Sequence, residues 1–159
     1  MTLMKISQNG IDLIKKFEGC KLQSYLCPAG VWTIGIGHTK GVKKGMVITQ
    51  QQAETFLKED IVPIERVLNG MGINYTQNQF DALTSWIFNL GQGSFKSSTM
   101  YKYIVARKPD LEITDQMVKW HNAGGKPLLG LKKRRVEEAN IFLGSKTYYV
   151  DSFGNIKKR

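Results

Sequence analysis

One short segment near the start of the chain constrains the fold most strongly. Residues 31–37 alternate with the two-residue period of a β-strand, and glycine occupies two positions on one face. We expect one face to carry the apolar side chains of Trp32, Ile34 and Ile36. The other face is then formed by Thr33, Gly35 and Gly37. Because glycine has no Cβ, a ligand or another stretch of backbone can approach this second face closely.

A short helix is predicted immediately before this segment, over residues 7–19. Small or apolar residues recur there at helical spacing, at Gly10, Leu13, Ile14 and Phe17. Ser7 precedes the first turn and is predicted to cap it. Gly19 stands where a helix of this length is expected to end, which puts Glu18 in the last turn.

Helical patterns dominate the rest of the chain. Two capping-box signatures, Thr49–Gln52 and Thr76–Gln79, begin amphipathic stretches, and Pro63 is predicted to kink or divide the first stretch. Further helices are predicted over residues 97–107, 114–121 and 131–143. The tail, residues 146–159, contains the strand-like run Tyr148–Val150.

A small β element within a mostly helical chain is typical of an α+β fold. We predict one domain over residues 1–159. Its small β lobe covers about residues 20–48. Its larger helical lobe combines the first helix, 7–19, with about residues 49–159.

The charge balance favours some partners over others. The chain has 159 residues, with 23 Lys and Arg against 13 Asp and Glu, which gives a formal net charge of +10 at pH 7. Such an excess favours polyanions, whether nucleic acid, anionic membrane surfaces or bacterial wall polymers. The sequence has no arginine-rich run interleaved with aromatics and no helix-turn-helix pattern, so we expect no nucleic-acid partner.

Membrane and metal signals are also missing from the sequence. Every apolar run is shorter than the ~18 residues that a membrane span needs, so we expect no stable membrane insertion. Residues 1–7 lack the apolar core and cleavage site of a secretory signal. The two histidines, His38 and His121, have no acid cluster at ligand spacing, so we expect no metal site.

Glu18 is the candidate acid catalyst. It follows Phe17 on the apolar side of the predicted helix and precedes Gly19. Partly apolar surroundings favour the protonated form of a carboxyl group, and cleavage of a glycosidic bond needs a protonated acid near neutral pH. From the local sequence alone, a solvated glutamate at a helix end is the stronger alternative.

Several motifs together, in their order and spacing, point to a family. They are Glu18-Gly19 with Tyr25, Cys27 and Gly30, the run Trp32–His38, the pair Gln79–Leu83 and Phe88–Gly91, and Trp120 with Gly124–Lys126 and Gly130–Glu138. This combination resembles the phage-type lysozyme (endolysin) family, glycoside hydrolase family 24, over about residues 7–144. The resemblance implies a lysozyme-like fold with the active-site cleft between the small β lobe and the larger helical lobe.

The same resemblance implies three catalytic positions. Glu18 protonates the leaving oxygen, position 27 assists from the opposite side, and Thr33 helps to place a water molecule. The family has Asp where this chain has Cys27. A free thiol has a pKa near ~8.5, so it is mostly neutral at pH 7 unless its surroundings favour the thiolate. As a thiolate it can stabilise positive charge, attack the sugar or polarise water; the alternative is a small buried structural residue.

The two cysteines of the chain, Cys20 and Cys27, flank this segment. We hypothesise that oxidation joins them in a disulfide that closes a short loop beside the site and depresses activity. The simpler alternative is a pair of reduced and unrelated thiols.

The resemblance suggests that Arg134 or Arg135 reaches back toward the first helix and holds the surroundings of the acid. The alternative is a solvated helix face on which Lys133 pairs with Glu137 and Arg134 pairs with Glu138.

Other polar residues of the motifs are weaker candidates. For His38, a structural hydrogen bond or ion pair is favoured over a role as general base. Candidate saccharide contacts are Gln79, Asn89 and Trp120, with core packing or helix capping as the alternative for each. Thr33 has its own alternative, because threonine is common in strands for its β propensity.

The implied activity is hydrolysis of the β-1,4 bond between N-acetylmuramic acid and N-acetylglucosamine in bacterial peptidoglycan, causing host lysis at the end of phage infection. We expect no cofactor. The expected partners are peptidoglycan and a separately encoded membrane pore (a holin), which releases a monomeric protein from the host cytoplasm to the periplasmic cell wall. A lytic transglycosylase and an inactive wall-binding module are the alternatives.

Overall fold

The computed structural model describes residues 3–159, so Met1 and Thr2, part of the segment tested above for a secretory signal, lie outside the described residues. Within that range the elements are α1 (Gln8–Glu18), β1 (Lys21–Leu26), β2 (Trp32–Gly35), α2 (Gln50–Asn69), α3 (Gln77–Leu90), α4 (Gln92–Ser97), α5 (Thr99–Val105), α6 (Asp110–Met117), β3 (Asn122–Ala123), β4 (Lys126–Pro127), α7 (Leu129–Leu143), β5 (Tyr148–Val150) and β6 (Ile156–Lys158). The strands pair as antiparallel hairpins, β1 with β2, β3 with β4 and β5 with β6. The predicted α+β class is confirmed.

β1 and β2 form a small β structure that packs on the start of α2. Tyr25 lies opposite Thr33 in the pair, and an irregularity in register separates this part from the Lys21 end. The chain returns to β1 at Ile48, whose N–H donates to the carbonyl of Leu22 at 2.9 Å. A separate apolar cluster of Ile34, Ile48 and Ala53 fills the space between this sheet and α2.

α2 connects the β structure to the helical body. Thr49 closes the predicted capping box with Gln52 at its N-terminus. Ala53 packs in the β cluster, whereas Leu68, near the other end, packs in the helical core. Pro63 was predicted to kink or divide this stretch, and division is excluded because α2 is continuous through it. Proline removes one helical hydrogen bond, but α2 is buried on both sides of Pro63 and tertiary packing holds it.

α3 is the central helix of the larger body. Every residue from Phe80 to Ile87 is buried, which is typical of a helix covered on all sides. Trp86 is fully buried and its indole N–H donates to the carbonyl of Met117 in α6 at 3.2 Å. α7 packs along α3. The predicted cap of α1 does not form, because the Ser7 hydroxyl donates instead to the Asp81 carboxylate of α3.

Short elements account for most differences from the sequence prediction. α4 and the β3–β4 hairpin are absent from the prediction, and α6 begins four residues before the predicted start at 114. The strand-like run in the tail is β5, and the structure adds β6 as its partner. Among residues 3–159, no helix combines the length and apolar character needed to cross a bilayer.

Candidate active site

Glu18 is the last residue of α1, which stops because Gly19 adopts a positive φ of 68°. Its Oε2 accepts a hydrogen bond from Nη1 of Arg134 at 2.5 Å. The Arg134 side chain is 3% exposed and that of Glu18 is 20% exposed. The arginine therefore lies inside the protein, while the carboxyl group reaches toward solvent. Arg134, and not Arg135, makes this contact.

Glu138, one turn further along α7, fixes Arg134 from the opposite side. Its Oε2 accepts from the Ser85 hydroxyl at 2.6 Å and from Nε of Arg134 at 3.3 Å. Its Oε1 lies 2.8 Å from Nε of Arg135, in an ion pair whose two side chains are both fully buried, although the angle is not that of a hydrogen bond. Burial lowers the pKa of Arg135, and Glu138 acts in the opposite direction. Arg134 and Glu138 thus pair as their helical spacing predicted, but in a buried network and not on the solvated face given as the alternative.

Glu137, the neighbour of this network, faces outward. It pairs with Lys16 of α1 at 2.5 Å. The helical spacing had suggested Lys133 as its partner instead. The two side chains are 37% and 61% exposed, so this pair is a surface contact between α7 and α1.

Gly37 lies directly against the free oxygen of the acid. Two hydrogen bonds between Ile34 and His38 close a turn after β2, and Gly37 belongs to this turn. The alternation of residues 31–37 had placed Gly37 in the strand. A Cβ at Gly37 would lie 2.8 Å from Oε1 of Glu18 and 3.1 Å from the ring of Phe88. The close approach expected at this glycine is made by the Glu18 carboxyl group.

Cys27 begins the turn between β1 and β2, and this turn favours its thiolate. Backbone N–H groups, above all that of Val31 and also that of Ala29, lower the pKa of Cys27, together with the Thr33 hydroxyl. Burial raises the pKa of Cys27, but by less than these hydrogen bonds lower it. Cys27 is therefore a thiol with increased thiolate character.

Thr33 and Tyr25 face each other across the strand pair, and side chains directly opposite in such a pair share one face. Thr33 is 5% exposed, and its hydroxyl donates to the carbonyl of Val31 at 3.0 Å. The phenol of Tyr25 lies near both candidates for catalysis: burial raises its pKa, and the charges of Glu18 and Cys27 raise it further. The sequence analysis did not assign Tyr25 a role, although its position two residues before Cys27 on a strand puts it on the same face.

Cys20 and Cys27 are both free, and they lie at opposite ends of β1. An extended strand rises about 3.3 Å per residue, so seven residues separate the two Cα atoms by roughly 20 Å. A disulfide needs its Cα atoms within about 7 Å. The geometry therefore argues against the bridge hypothesised from the sequence. Cys20 is exposed, and its thiol contacts Oε1 of Gln50 at 3.6 Å.

His38 has a structural environment. Its Nδ1 lies 2.7 Å from Oδ2 of Asp60 in α2, and its ring stacks on Phe56 with centroids 4.3 Å apart. The side chain is almost completely buried. These contacts match the hydrogen bond or ion pair that the sequence analysis favoured for it.

The three candidate saccharide contacts are not brought together. Gln79 completes the capping box of α3 and also contacts Asp110 at 3.4 Å, so its amide is used in the fold. Asn89 accepts from Arg135 at 2.8 Å through Oδ1. Trp120 packs edge-on against Trp86 with ring centroids 5.3 Å apart.

A cleft of about 410 Å³ begins at Gly37 and Phe88 and runs between α2 and α3, past Lys40, Glu59 and Gln92. Neither this cleft nor a larger cavity of about 640 Å³ beside α1 is lined by Glu18, Cys27 or Thr33. Of the two, only the first includes Gly37, which lies against the Glu18 carboxyl group. Within residues 3–159, no group of three or more His, Cys, Asp or Glu side chains is arranged to hold a metal ion.

Solved structures of a muramidase domain and of a phage endolysin have the same fold. The muramidase domain of SpmX from Asticaccaulis excentricus superposes with a TM-score of 0.79 at 36% identity, over 87% of this chain and 97% of that domain. The active form of the P1 phage endolysin Lyz gives 0.79 at 33% identity, over 89% and 86%. The molecule is thus a glycoside hydrolase of the lysozyme type.

The sequence comparison is more specific. The model of the family described as "Phage lysozyme" matches residues 15–138. An endolysin from Acyrthosiphon pisum secondary endosymbiont phage 1 is 43% identical over 150 residues, which covers 87% of this chain and 98% of that protein. The chain belongs to the phage lysozyme family, and its activity is that of a phage endolysin.

Proposed function

We propose that Glu18 is the acid of this endolysin and that it cleaves the β-1,4 bond between N-acetylmuramic acid and N-acetylglucosamine in peptidoglycan. One observation carries the proposal: buried Arg134 holds Oε2 and leaves Oε1 at Gly37, where the cleft begins. Oε1 is then the atom that donates its proton to the leaving oxygen, while Arg134 fixes the direction of transfer.

Cys27 takes the part of the second carboxylate in this proposal. A glycosidase needs negative charge or an activated water across from its acid, because its transition state carries positive charge at the anomeric carbon. The lowered pKa of Cys27 makes the thiolate available for this purpose. Thr33 lies beside it and is proposed to orient the water.

Replacement of the acid is the direct test. Glu18→Gln keeps the size of the side chain and an oxygen for Arg134, so the variant should fold and should lose wall-clearing activity by at least about a hundredfold. Turbidity loss of a suspension of purified cell walls gives the rate, and circular dichroism checks the fold. Glu54→Gln is the matched control, since Glu54 pairs with Lys15 outside the cleft and should leave the rate unchanged. Unchanged clearing by folded Glu18→Gln would remove Glu18 from the mechanism and favour a binding module.

A thiol in place of the carboxylate also fits a lytic transglycosylase, which needs only one acidic residue and forms an anhydro product. Mass analysis of the digested peptidoglycan separates the two reactions. Hydrolysis gives reducing N-acetylmuramic acid ends, whereas anhydro-muramic ends would exclude simple hydrolysis.

We also propose that the protein works as a monomer released from the host cytoplasm through a separately encoded pore. The similarity to phage endolysins supports the route, and a cleft built by one chain supports the monomer. Sedimentation in solution tests the monomer. Lysis of expressing cells with and without a co-expressed pore protein tests the route.

A further inference from the structure

The tip of the β5–β6 hairpin presents a phenylalanine ring to solvent. Phe153 is 88% exposed, more than any other large apolar side chain among residues 3–159. The tip is nevertheless ordered, because Oδ1 of Asp151 accepts hydrogen bonds from the backbone N–H groups of Phe153 and Asn155, each at 2.9 Å. A ring held out in water by a structured turn retains an unfavourable hydration that an apolar partner would remove.

Three cations of the hairpin and of α7 have no acidic partner among the described residues, and they outnumber Asp151, the acid in the tip itself. Lys132 donates to the carbonyl of Gly154 at 2.6 Å, which places its ammonium group at the tip. Lys157 lies opposite Tyr149 in the hairpin, and Arg159 lies over the Tyr149 ring at 4.9 Å, so both cations are on one face. None of these three cations takes part in an ion pair within residues 3–159. Their charge is therefore available to an external anion.

The hairpin is also firmly attached at its base. Tyr148 is 2% exposed, and its hydroxyl donates to Asp115 of α6 at 2.6 Å. Its backbone N–H and carbonyl both bond to the side-chain amide of Asn140 in α7, at 2.8 and 3.0 Å. Asp115, the acid nearest to the base, is already paired with Lys158. The tip thus projects from a rigid support whose own acid is neutralised.

We propose that this tip docks on the surface of an anionic phospholipid bilayer. The Phe153 ring would enter the boundary between headgroups and acyl chains, and Lys132, Lys157 and Arg159 would lie over the lipid phosphates. A phenyl ring can stack on one face of a sugar, but hydrated wall polymers offer no apolar phase that would bury the whole ring, whereas an anionic lipid surface satisfies both the ring and the charges. Docking is separate from the cleft and does not depend on glycan cleavage.

Vesicle sedimentation tests the proposal with the whole protein. The chain should bind vesicles of phosphatidylglycerol mixed with phosphatidylcholine, should bind pure phosphatidylcholine vesicles weakly, and should dissociate as salt is added. Phe153→Ser should weaken binding to the anionic vesicles about tenfold. Lys157→Gln should weaken it about fivefold. Neither variant should change the rate on purified peptidoglycan, because both residues lie outside the cleft.

Two control variants distinguish binding through this tip from nonspecific binding through any exposed apolar side chain or through the net charge of the protein. Leu3→Ser removes another exposed apolar side chain, 76% exposed, and Lys43→Gln removes an exposed charge in the β structure. Both controls should bind vesicles like the unmodified chain. Equal binding to anionic and neutral vesicles, or unchanged binding by Phe153→Ser, would overturn the proposal. So would a loss of binding by Phe153→Ser to lipid-free peptidoglycan, because the tip would then contact the wall.

Discussion

At Gly37 the missing side chain is what allows the acid to occupy its place. Gly37→Ala would put a Cβ 2.8 Å from Oε1 of Glu18 and would also strain a backbone with φ of 67°. The carboxyl group is the movable partner, so it would shift away from the cleft. Because a small displacement of a catalytic group costs about a hundredfold in rate, we expect the wall-clearing rate to fall by about that factor.

Gly41→Ala is the matched control for this substitution. Gly41 has a φ of 71° but would place its Cβ in open space. Both variants should therefore lose about 1–2 kcal/mol of stability in urea unfolding, from the same backbone strain. Only Gly37→Ala should lose activity beyond that loss of stability. Equal activity of the two variants would show that the position of Oε1 is unimportant.

The thiol at position 27 predicts a particular pH dependence. The lowered pKa of Cys27 means that the thiolate persists to lower pH than that of a free cysteine, and that it is lost as the pH falls through that value. Activity should fall on this acid side of the pH–rate profile. Cys27→Asp should move the fall to lower pH and keep or raise the rate, because a carboxylate titrates lower still. Cys27→Ala should lower the rate strongly and remove the fall in activity that protonation of the thiolate causes on the acid side. Full activity in Cys27→Ala would contradict a catalytic role for Cys27.

Residues that are near in sequence were predicted more easily than partners that are far apart. The family resemblance proposed Glu18, Cys27 and Thr33, and because all three lie within one helix–strand unit, the sequence also indicated that they are neighbours in the fold. The contact between Arg134 and Glu18 joins positions 116 residues apart, and no local spacing encodes it. Only the family resemblance pointed to that arginine. The disulfide hypothesis failed for a related reason, since sequence distance did not show that an extended strand keeps the two thiols apart.

At the scale of elements, α7 is held against α1 and α3 by the buried charges of Glu138, Arg134 and Arg135. Glu138→Gln would leave two buried guanidinium groups without their shared carboxylate. We expect the free energy of unfolding to fall by about 3–5 kcal/mol, measured by urea denaturation, with a loss of activity because Arg134 would no longer be fixed. If Glu138→Gln does not fold, Ser85→Ala removes one bond to the same carboxylate and should cost about 1–3 kcal/mol.

Glu137→Gln, at the next position of the same helix, provides the control. Its pair with Lys16 is exposed, so the substitution should change stability by about 1 kcal/mol or less. Similar losses for Glu137→Gln and Glu138→Gln would show that the buried network does not hold α7.

Elements with local signals were predicted, whereas those set by packing were not. The capping boxes at Thr49 and Thr76 marked the starts of α2 and α3 correctly, because such caps depend on four consecutive residues. Pro63 was expected to kink or divide the helix, yet α2 is continuous through it because one face of the helix, including Ile61 and Ile64 on either side of the proline, is buried. α4 has only six residues and little periodicity from which to predict it.

At the scale of the whole molecule, the position of Glu18 in the fold and the distribution of the positive charge differ in how far the sequence predicts them. The fold places Glu18 against Gly37, which lines the cleft between α2 and α3, whereas the family resemblance predicted a cleft between the β lobe and the helical lobe. The net charge of +10 was visible in the composition, but its distribution was not. The β5–β6 hairpin shows why: Lys157 and Lys158 are adjacent in sequence, yet Lys158 pairs with Asp115 while Lys157 has no such partner among the described residues.

The net charge leads to a prediction about the whole enzyme on its substrate. Attraction between a chain of charge +10 and an anionic cell wall should weaken as salt shortens the Debye length from ~10 Å at 0.1 M to ~3 Å at 1 M. The clearing rate of cell-wall suspensions should therefore fall steeply over this range. Hydrolysis of a short soluble oligomer of alternating N-acetylglucosamine and N-acetylmuramic acid, which carries far less charge than the wall, should change much less, because its encounter depends little on long-range attraction. If both rates fell equally, salt would be acting on the site or on stability, and the role of net charge in wall encounter would be refuted.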